Sequence, residues 1–251
     1  MSGFVSLVGA GPGDPELLTL RALRRLRDAD LILNDALVQS DLLELAPKAQ
    51  RFYVGKRAGR HSIDQEGIHR LMIRAAKRGQ RVVRLKCGDP FVLGRGGEEA
   101  LALEAAGVAY EVVPGLSSAI AAPALAGIPV THRGMSAGFA VVSGHAESAY
   151  APILDGIAPN ALTIVVLMGV RTRGDIAARL VARGWASSTP AAIVHGASHP
   201  DSITWLGDLS TIGQAELSTD LPGVLVIGEV VSLAPQIAAT SAHPAVAERY
   251  L

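Results

Sequence analysis

The chain has 251 residues, 49% hydrophobic and 18% charged, enough apolar material for one large core or two modest ones and unlike a disordered chain. Lys plus Arg and Asp plus Glu each number 23, so the net charge is zero and the basic excess of a general nucleic-acid binder is missing. Cys87 is the only cysteine, which excludes an intrachain disulfide and fits a reducing, cytoplasmic compartment. The opening MSGFVSLVGAG has neither the basic region nor the long apolar run of a secretory signal. Residues 112–131 are uncharged for about the length of a membrane span, but Pro114, Pro123 and Pro129 interrupt them. A buried helix with flanking loops, in a soluble protein without a membrane partner, is the expectation.

Short apolar runs alternate with helical patterns, the signature of an α/β fold with a largely parallel sheet. Residues 4–8 read as the first strand. Asp14 predicts a helix N-cap, with Pro15 at the first helical position and Glu16 in the first turn. Leu20, Leu23 and Leu26 recur behind it at helical spacing, and residues 31–33 form a second strand. Ser62 and Gln65 match a capping box ahead of an apolar stripe at Ile68, Leu71, Met72 and Ala75, a helix that Gly79 ends. Strand 81–85, helix 98–106 and strand 108–113 follow, then a small-residue helix over 117–125 and the connection GIPVTHR. Strands at 139–143, 162–167, 191–194 and 224–227 alternate with helices such as 175–183. Two α/β domains result, 1–115 and 116–251, with a linker near 114–134.

Three segments offer chemistry. VGAGPGDP (8–15) follows the first strand. Its glycines permit positive φ and close ligand approach at a helix N-terminus, although a capped tight turn explains the same residues. Gly9, Gly11 and Gly13 give G-x-G-x-G rather than G-x-G-x-x-G, a weak dinucleotide match even with Asp35 near the next strand end. In KCGDPFVLGRGGEE (86–99), Gly88 admits backbone near a ligand and the Asp89-Pro90 pair forces an extended-then-turn path. Asp89 is equally a turn residue, and Arg95 with Glu98 equally a surface helix pair. Cys87 reads as a small packed residue, not a nucleophile. VGKRAGRH (54–61) places Lys56, Arg57 and Arg60 on a loop, either as a solvated cluster or as a trap for carboxylates.

Taken in order, VGAGPGDPELLTL, LND, VGKRAGRH, RLKCGDPFVLGRGGEE, VVPGLSSA, AGIPVTHR and VLMGV mark a chain that, over residues 3–232, resembles the tetrapyrrole methylase family. The GxGPGD and GDP loops are shared across that family; VGKRAG and GRGGEE resemble its uroporphyrinogen-III C-methyltransferases in particular. The resemblance implies two α/β domains of the tetrapyrrole methylase type, with the donor site in the interdomain cleft, and a homodimer. It also implies S-adenosyl-L-methionine as cosubstrate, S-adenosyl-L-homocysteine as product, and no metal. By match to family positions, Pro12, Cys87, Gly88, Asp89, Val92, Ser117, Ser118, Met168 and Ala197 line the donor pocket. Asp35, Lys56, Arg95 and Glu98 are the implied catalytic residues, and Arg57, Arg60, Arg133 and Met168 the implied substrate contacts. The chain departs from the family pattern at Asn34 (usually Tyr), Cys87 (usually Gly), Leu93 (usually Phe) and Ala197 (often Gly).

The implied reaction is C-methylation of uroporphyrinogen III at C2 and C7, giving precorrin-1 and then precorrin-2. A sulfonium donor already carries its leaving group, so the enzyme mainly aligns a carbon nucleophile behind the S–CH₃ bond, worth roughly 7–11 kcal/mol in favourable cases. Positive charge develops on the macrocycle and a proton must leave; Glu98 or Asp35 serves both needs, and the residues alone do not choose between them. Lys56, Arg57, Arg60 and Arg133 would oppose the eight substrate carboxylates. Rival readings are a later precorrin methyltransferase, an NAD(P)-dependent oxidoreductase and a non-catalytic ligand-binding protein.

Overall fold

The computed structural model describes residues 3–55, 63–216, 219 and 221–237. The chain forms two compact units, residues 1–121 and 122–251. The division falls inside a helix, where the sequence reading set it at 115/116.

The first unit is built from β1 (Phe4–Gly9), α1 (Leu20–Arg27), β2 (Leu31–Asn34), α2 (Ser40–Glu44), β3 (Gln50–Tyr53), α3 (Gln65–Lys77), β4 (Arg81–Lys86), α4 (Gly96–Ala105), β5 (Tyr110–Val113) and α5 (Ser118–Leu125), whose end belongs to the second unit. Its five strands are all parallel, in the order β3-β2-β4-β1-β5. Side chains alternate across the sheet. Val5, Leu7, Leu33 and Val82 pack against Ile68 and Met72 of α3 and Ala100 and Leu103 of α4. Val8, Ile32, Val83 and Leu85 pack on the opposite face against Ala22 and Leu26 of α1 and Leu42 of α2. The same alternation puts Arg84 and Lys86 on the Val82 face, beneath α3 and α4.

Two capping expectations need correction. Asp14 caps only a single 3-10 turn, Pro15–Leu17, accepting from the Glu16 amide at 2.8 Å. Leu18 is extended, and α1 starts afresh with Thr19 Oγ1 accepting from the Ala22 amide at 3.1 Å. The cap of α3 is Asp64, whose Oδ1 accepts from the Gly67 amide at 2.7 Å. Ser62 lies outside the described residues, and the Gln65 side chain turns towards Glu99 instead of back to the cap.

The second unit contains β6 (Phe139–Ser143), α6 (Glu147–Leu154), β7 (Thr163–Leu167), α7 (Arg173–Ala182), β8 (Pro190–His195), β9 (Ile203–Asp208) and β10 (Gly223–Ile227). Its sheet order is β6-β7-β10-β8-β9, and it is mixed: β6 and β7 are parallel, while β10 runs antiparallel to β7 and β8 and β9 runs antiparallel to β8. The largely parallel expectation therefore holds for the first sheet and fails for the second. Val142, Ile164, Val166, Ile193 and Leu225 form its core with Tyr150, Leu154, Ile176, Leu180 and Trp185. Arg179 of α7 holds Asp155 at the end of α6 at 2.8 Å. Among the described residues, no helix is long and apolar enough to cross a membrane.

Candidate active site

In the first unit β4 and β1 lie side by side, and the chain leaves β1 towards α1 on one face of the sheet but leaves β4 towards α4 on the other. The carboxyl ends of strands at such a reversal are where open α/β sheets bind ligands. The glycine loops meet there. Gly11 and Gly88 exchange backbone hydrogen bonds, Gly11 N to Gly88 O at 3.2 Å and Gly88 N to Gly11 O at 2.8 Å. Both glycines have φ of +67°, a left-handed conformation that L side chains resist. A Cβ at Gly9 would sit 2.6 Å from the Gly115 nitrogen and the Gly88 oxygen. The three loops after β1, β4 and β5 thus touch through bare backbone, a cradle that side chains would fill.

Asp89 braces this cradle: Oδ1 accepts from the Phe91 amide at 2.8 Å and Oδ2 from the Gly115 amide at 3.0 Å. Cys87 has its Sγ 3.8 Å from the Gly11 carbonyl oxygen. Burial pushes its thiol pKa up, against a hydrogen bond with Ser118. Ser117 is buried, its Oγ accepting from the Ala119 amide at 3.3 Å. Pro12 and Val92 are half-buried in the loops after β1 and β4.

Asp35, just past the end of β2, is tied to the interior. Its Oδ1 accepts from Arg84 Nη2 at 2.6 Å, and its Oδ2 lies 3.8 Å from Lys86 Nζ. Its side chain is 30% exposed, whereas those of Arg84 and Glu99 are 2% and 0%. Glu99 Oε1 accepts from Arg84 Nε at 2.9 Å, Lys86 Nζ at 3.1 Å and Gln65 Nε2 at 3.2 Å. Glu99 Oε2 is buried and has no hydrogen-bond partner among the described residues. Burial lowers the Lys86 ammonium below its ordinary range, reinforced by Arg84 and opposed by Glu99 and Asp35.

Arg95 and Glu98, at the start of α4, form a two-point pair at 2.8 and 2.7 Å with both side chains about half exposed (53% and 51%). The Arg95 hydrogen bonds hold the Glu98 carboxyl below its usual range. Arg95 itself has φ of +59°, and Leu93 of +54°. In the second unit, Met168 follows β7 with φ of +59° and a half-exposed side chain; Ala197 follows β8, half-buried; Arg133 is exposed. Non-glycine residues in this conformation cost energy and cluster at functional sites.

Gly11, Asp35, Cys87, Gly88, Asp89, Ser117 and the Arg95–Glu98 pair thus share the carboxyl edge of one sheet. Lys56, Arg57 and Arg60 lie outside the described residues. The sequence reading missed Arg84, Lys86 and Glu99. Two cations alternating with Val83 and Leu85 at the end of a predicted strand of an α/β fold were the available signal.

The tetrapyrrole (corrin/porphyrin) methylase profile matches residues 5–213. The uroporphyrinogen-III C-methyltransferase of Priestia megaterium is 46% identical over 235 residues, covering 92% of this chain and 99% of that one. Siroheme synthase 1 of Serratia proteamaculans is 45% identical over 242 residues, 94% of this chain; the chain spans 50% of that longer relative. A crystal structure of uroporphyrin-III C-methyl transferase from Thermus thermophilus complexed with S-adenyl homocysteine aligns with a TM-score of 0.79 and 45% identity, over 91% of this chain and 99% of that one. The chain belongs to the tetrapyrrole (corrin/porphyrin) methylases.

Proposed function

We propose that this protein transfers methyl groups from S-adenosyl-L-methionine to C2 and C7 of uroporphyrinogen III, producing precorrin-1 and then precorrin-2. The observation that carries the reading is the paired Gly11–Gly88 backbone at the carboxyl edge of the first sheet, joining the two signature loops of a chain that matches a uroporphyrinogen-III C-methyltransferase along nearly its whole length. Side-chain-free backbone suits close contact with the donor, with Pro12, Cys87, Gly88, Asp89, Val92, Ser117 and Ser118 around it. Met168 and Ala197 contribute further donor contacts, and Met168 also borders the tetrapyrrole.

The donor supplies an electrophilic methyl whose leaving group departs with the S–C bonding pair. A pyrrole carbon donates the new C–C bond's electron pair, and the macrocycle becomes positively charged until a proton leaves. Of the two carboxylates, Asp35 suits proton acceptance: Glu98 has both oxygens engaged by Arg95, while Asp35 Oδ2 is beyond hydrogen-bond distance of Lys86. Arg95 and Glu98 stay at the surface, where Arg95 orients substrate and the Glu98 carboxylate opposes the developing positive charge. Lys56, Arg57, Arg60 and Arg133 gather the substrate's carboxylates. The protein works as a homodimer in the cytoplasm, without nucleic acid.

Incubation with uroporphyrinogen III and S-adenosyl-L-methionine under reducing, oxygen-free conditions tests the reading. A product heavier by two CH₂ units, with the absorbance of a dipyrrocorphin, is expected; unchanged substrate would contradict it.

A further inference from the structure

The carboxyl edge of the sheet carries a buried charge network of which only Asp35 belongs to the implied catalytic set. Two cations from β4, Arg84 and Lys86, meet two carboxylates, Glu99 from α4 and Asp35 from the end of β2. Three of the four side chains are almost wholly buried, and only Asp35 reaches the surface. Arg84 spends every nitrogen inside the network: Nη2 on Asp35, Nε on Glu99, and Nη1 on the Leu33 and Leu85 carbonyls at 3.3 Å. Such a guanidinium cannot swing, so neither can the carboxylate it grips.

We propose that Arg84, Lys86 and Glu99 are positioning residues for Asp35, a fixed charge frame that sets the orientation and charge balance of the carboxylate which meets the tetrapyrrole. The inference rests on the reading that Asp35 accepts the proton. Buried ion pairs are a weak source of stability compared with apolar packing, and a partner-less Glu99 Oε2 adds a cost, so stability alone gives no reason for this arrangement. A reason appears in the geometry. Glu99 neutralises the far side of Arg84 and Lys86, and the two cations divide their attraction between Glu99 and Asp35. Other titratable or charged groups facing the network among the described residues include Cys87 just past β4, Arg95 and Glu98 at the start of α4, and His69 on α3, which meets Gln65 at 3.3 Å.

The frame predicts opposite effects from its two ends. Arg84→Met removes the cation that grips Asp35, and the acid limb of the methylation pH profile should move up. Turnover should fall about tenfold or more, because the carboxylate is no longer held in place. Glu99→Gln keeps an acceptor for Arg84 and Lys86 but deletes the competing charge, so the limb should move down. Arg84→Lys should restore the limb and part of the rate. Both shifts should vanish in an Asp35→Asn background, measured by single-turnover methyl transfer to uroporphyrinogen III, as coupling through one residue requires. S-adenosylhomocysteine affinity and thermal unfolding report folding of each variant, and either folded variant decides.

Rate losses with an unshifted limb, or losses that persist undiminished beside Asp35→Asn, would overturn the frame and leave a packing role. Near-parental turnover in Asp35→Asn alone would instead remove Asp35 from the reaction, a different failure from that of the frame.

Discussion

Cys87 lies beside the backbone pair of Gly11 and Gly88. Burial raises its thiol pKa, and the Gly11 carbonyl and Ser118 leave it packed among loop atoms. The thiolate is the reactive species, so the residue should be inert. Iodoacetamide at neutral pH should label the folded chain slowly, and Cys87→Ala should keep turnover within about threefold of the parent. Rapid labelling with loss of turnover would make the thiol part of the chemistry. At this scale the loop residues were legible because glycine and Asp-Pro advertise special backbone paths. Asp89 was legible in both of its readings, and its two amide contacts show the turn-bracing one at work. Glu99 was not legible, since a second glutamate in GGEE looks like a solvated helix start until α3 and β4 close over it.

The elements carry a second kind of information. Leu93, Arg95 and Met168 adopt left-handed backbone in the GDPFVLGR and VLMGV segments, at a cost of roughly 1–2 kcal/mol each. Arg95→Gly relieves that strain while losing an exposed pair worth about 0.2–1 kcal/mol. Stability in urea should therefore stay level or rise, while turnover falls by about tenfold or more as substrate positioning is lost. A marked loss of stability with full turnover would reverse the assignment. Periodicity found most helices and the apolar strands, including β4 and β7. It missed β3, whose four residues are all exposed and show no alternation, and β9, which is likewise largely exposed. Nor does a short apolar run state its direction: residues 224–227 fit a parallel strand as well as the antiparallel β10 that the sheet contains.

Among the described residues of a chain with zero net charge, several carboxylates are held by neighbouring arginines. Hydrogen bonds from Arg81 hold Asp30 below the ordinary carboxylate range, and those from Arg179 do the same for Asp155. Glu111 is raised by burial, but Arg25 and Ser6 outweigh that and leave it lowered. Each folded-state pKa lies below its unfolded value, so each pair's contribution is present above the unfolded pKa and lost as pH falls through the folded one. Unfolding free energy should be nearly level around neutrality and drop on acidification below about pH 5. A rise in stability on acidification would contradict these assignments. The two-unit organisation was readable because the strand–helix alternation breaks around the proline-rich stretch at 114–129.

Methyl transfer to two ring carbons of one tetrapyrrole is read directly with ¹³C-methyl-labelled S-adenosyl-L-methionine. Carbon NMR of the product should show two labelled methyl groups, each on a quaternary carbon, at C2 and C7 of the macrocycle. Label on nitrogen or oxygen, or at any other ring carbon, would contradict the account.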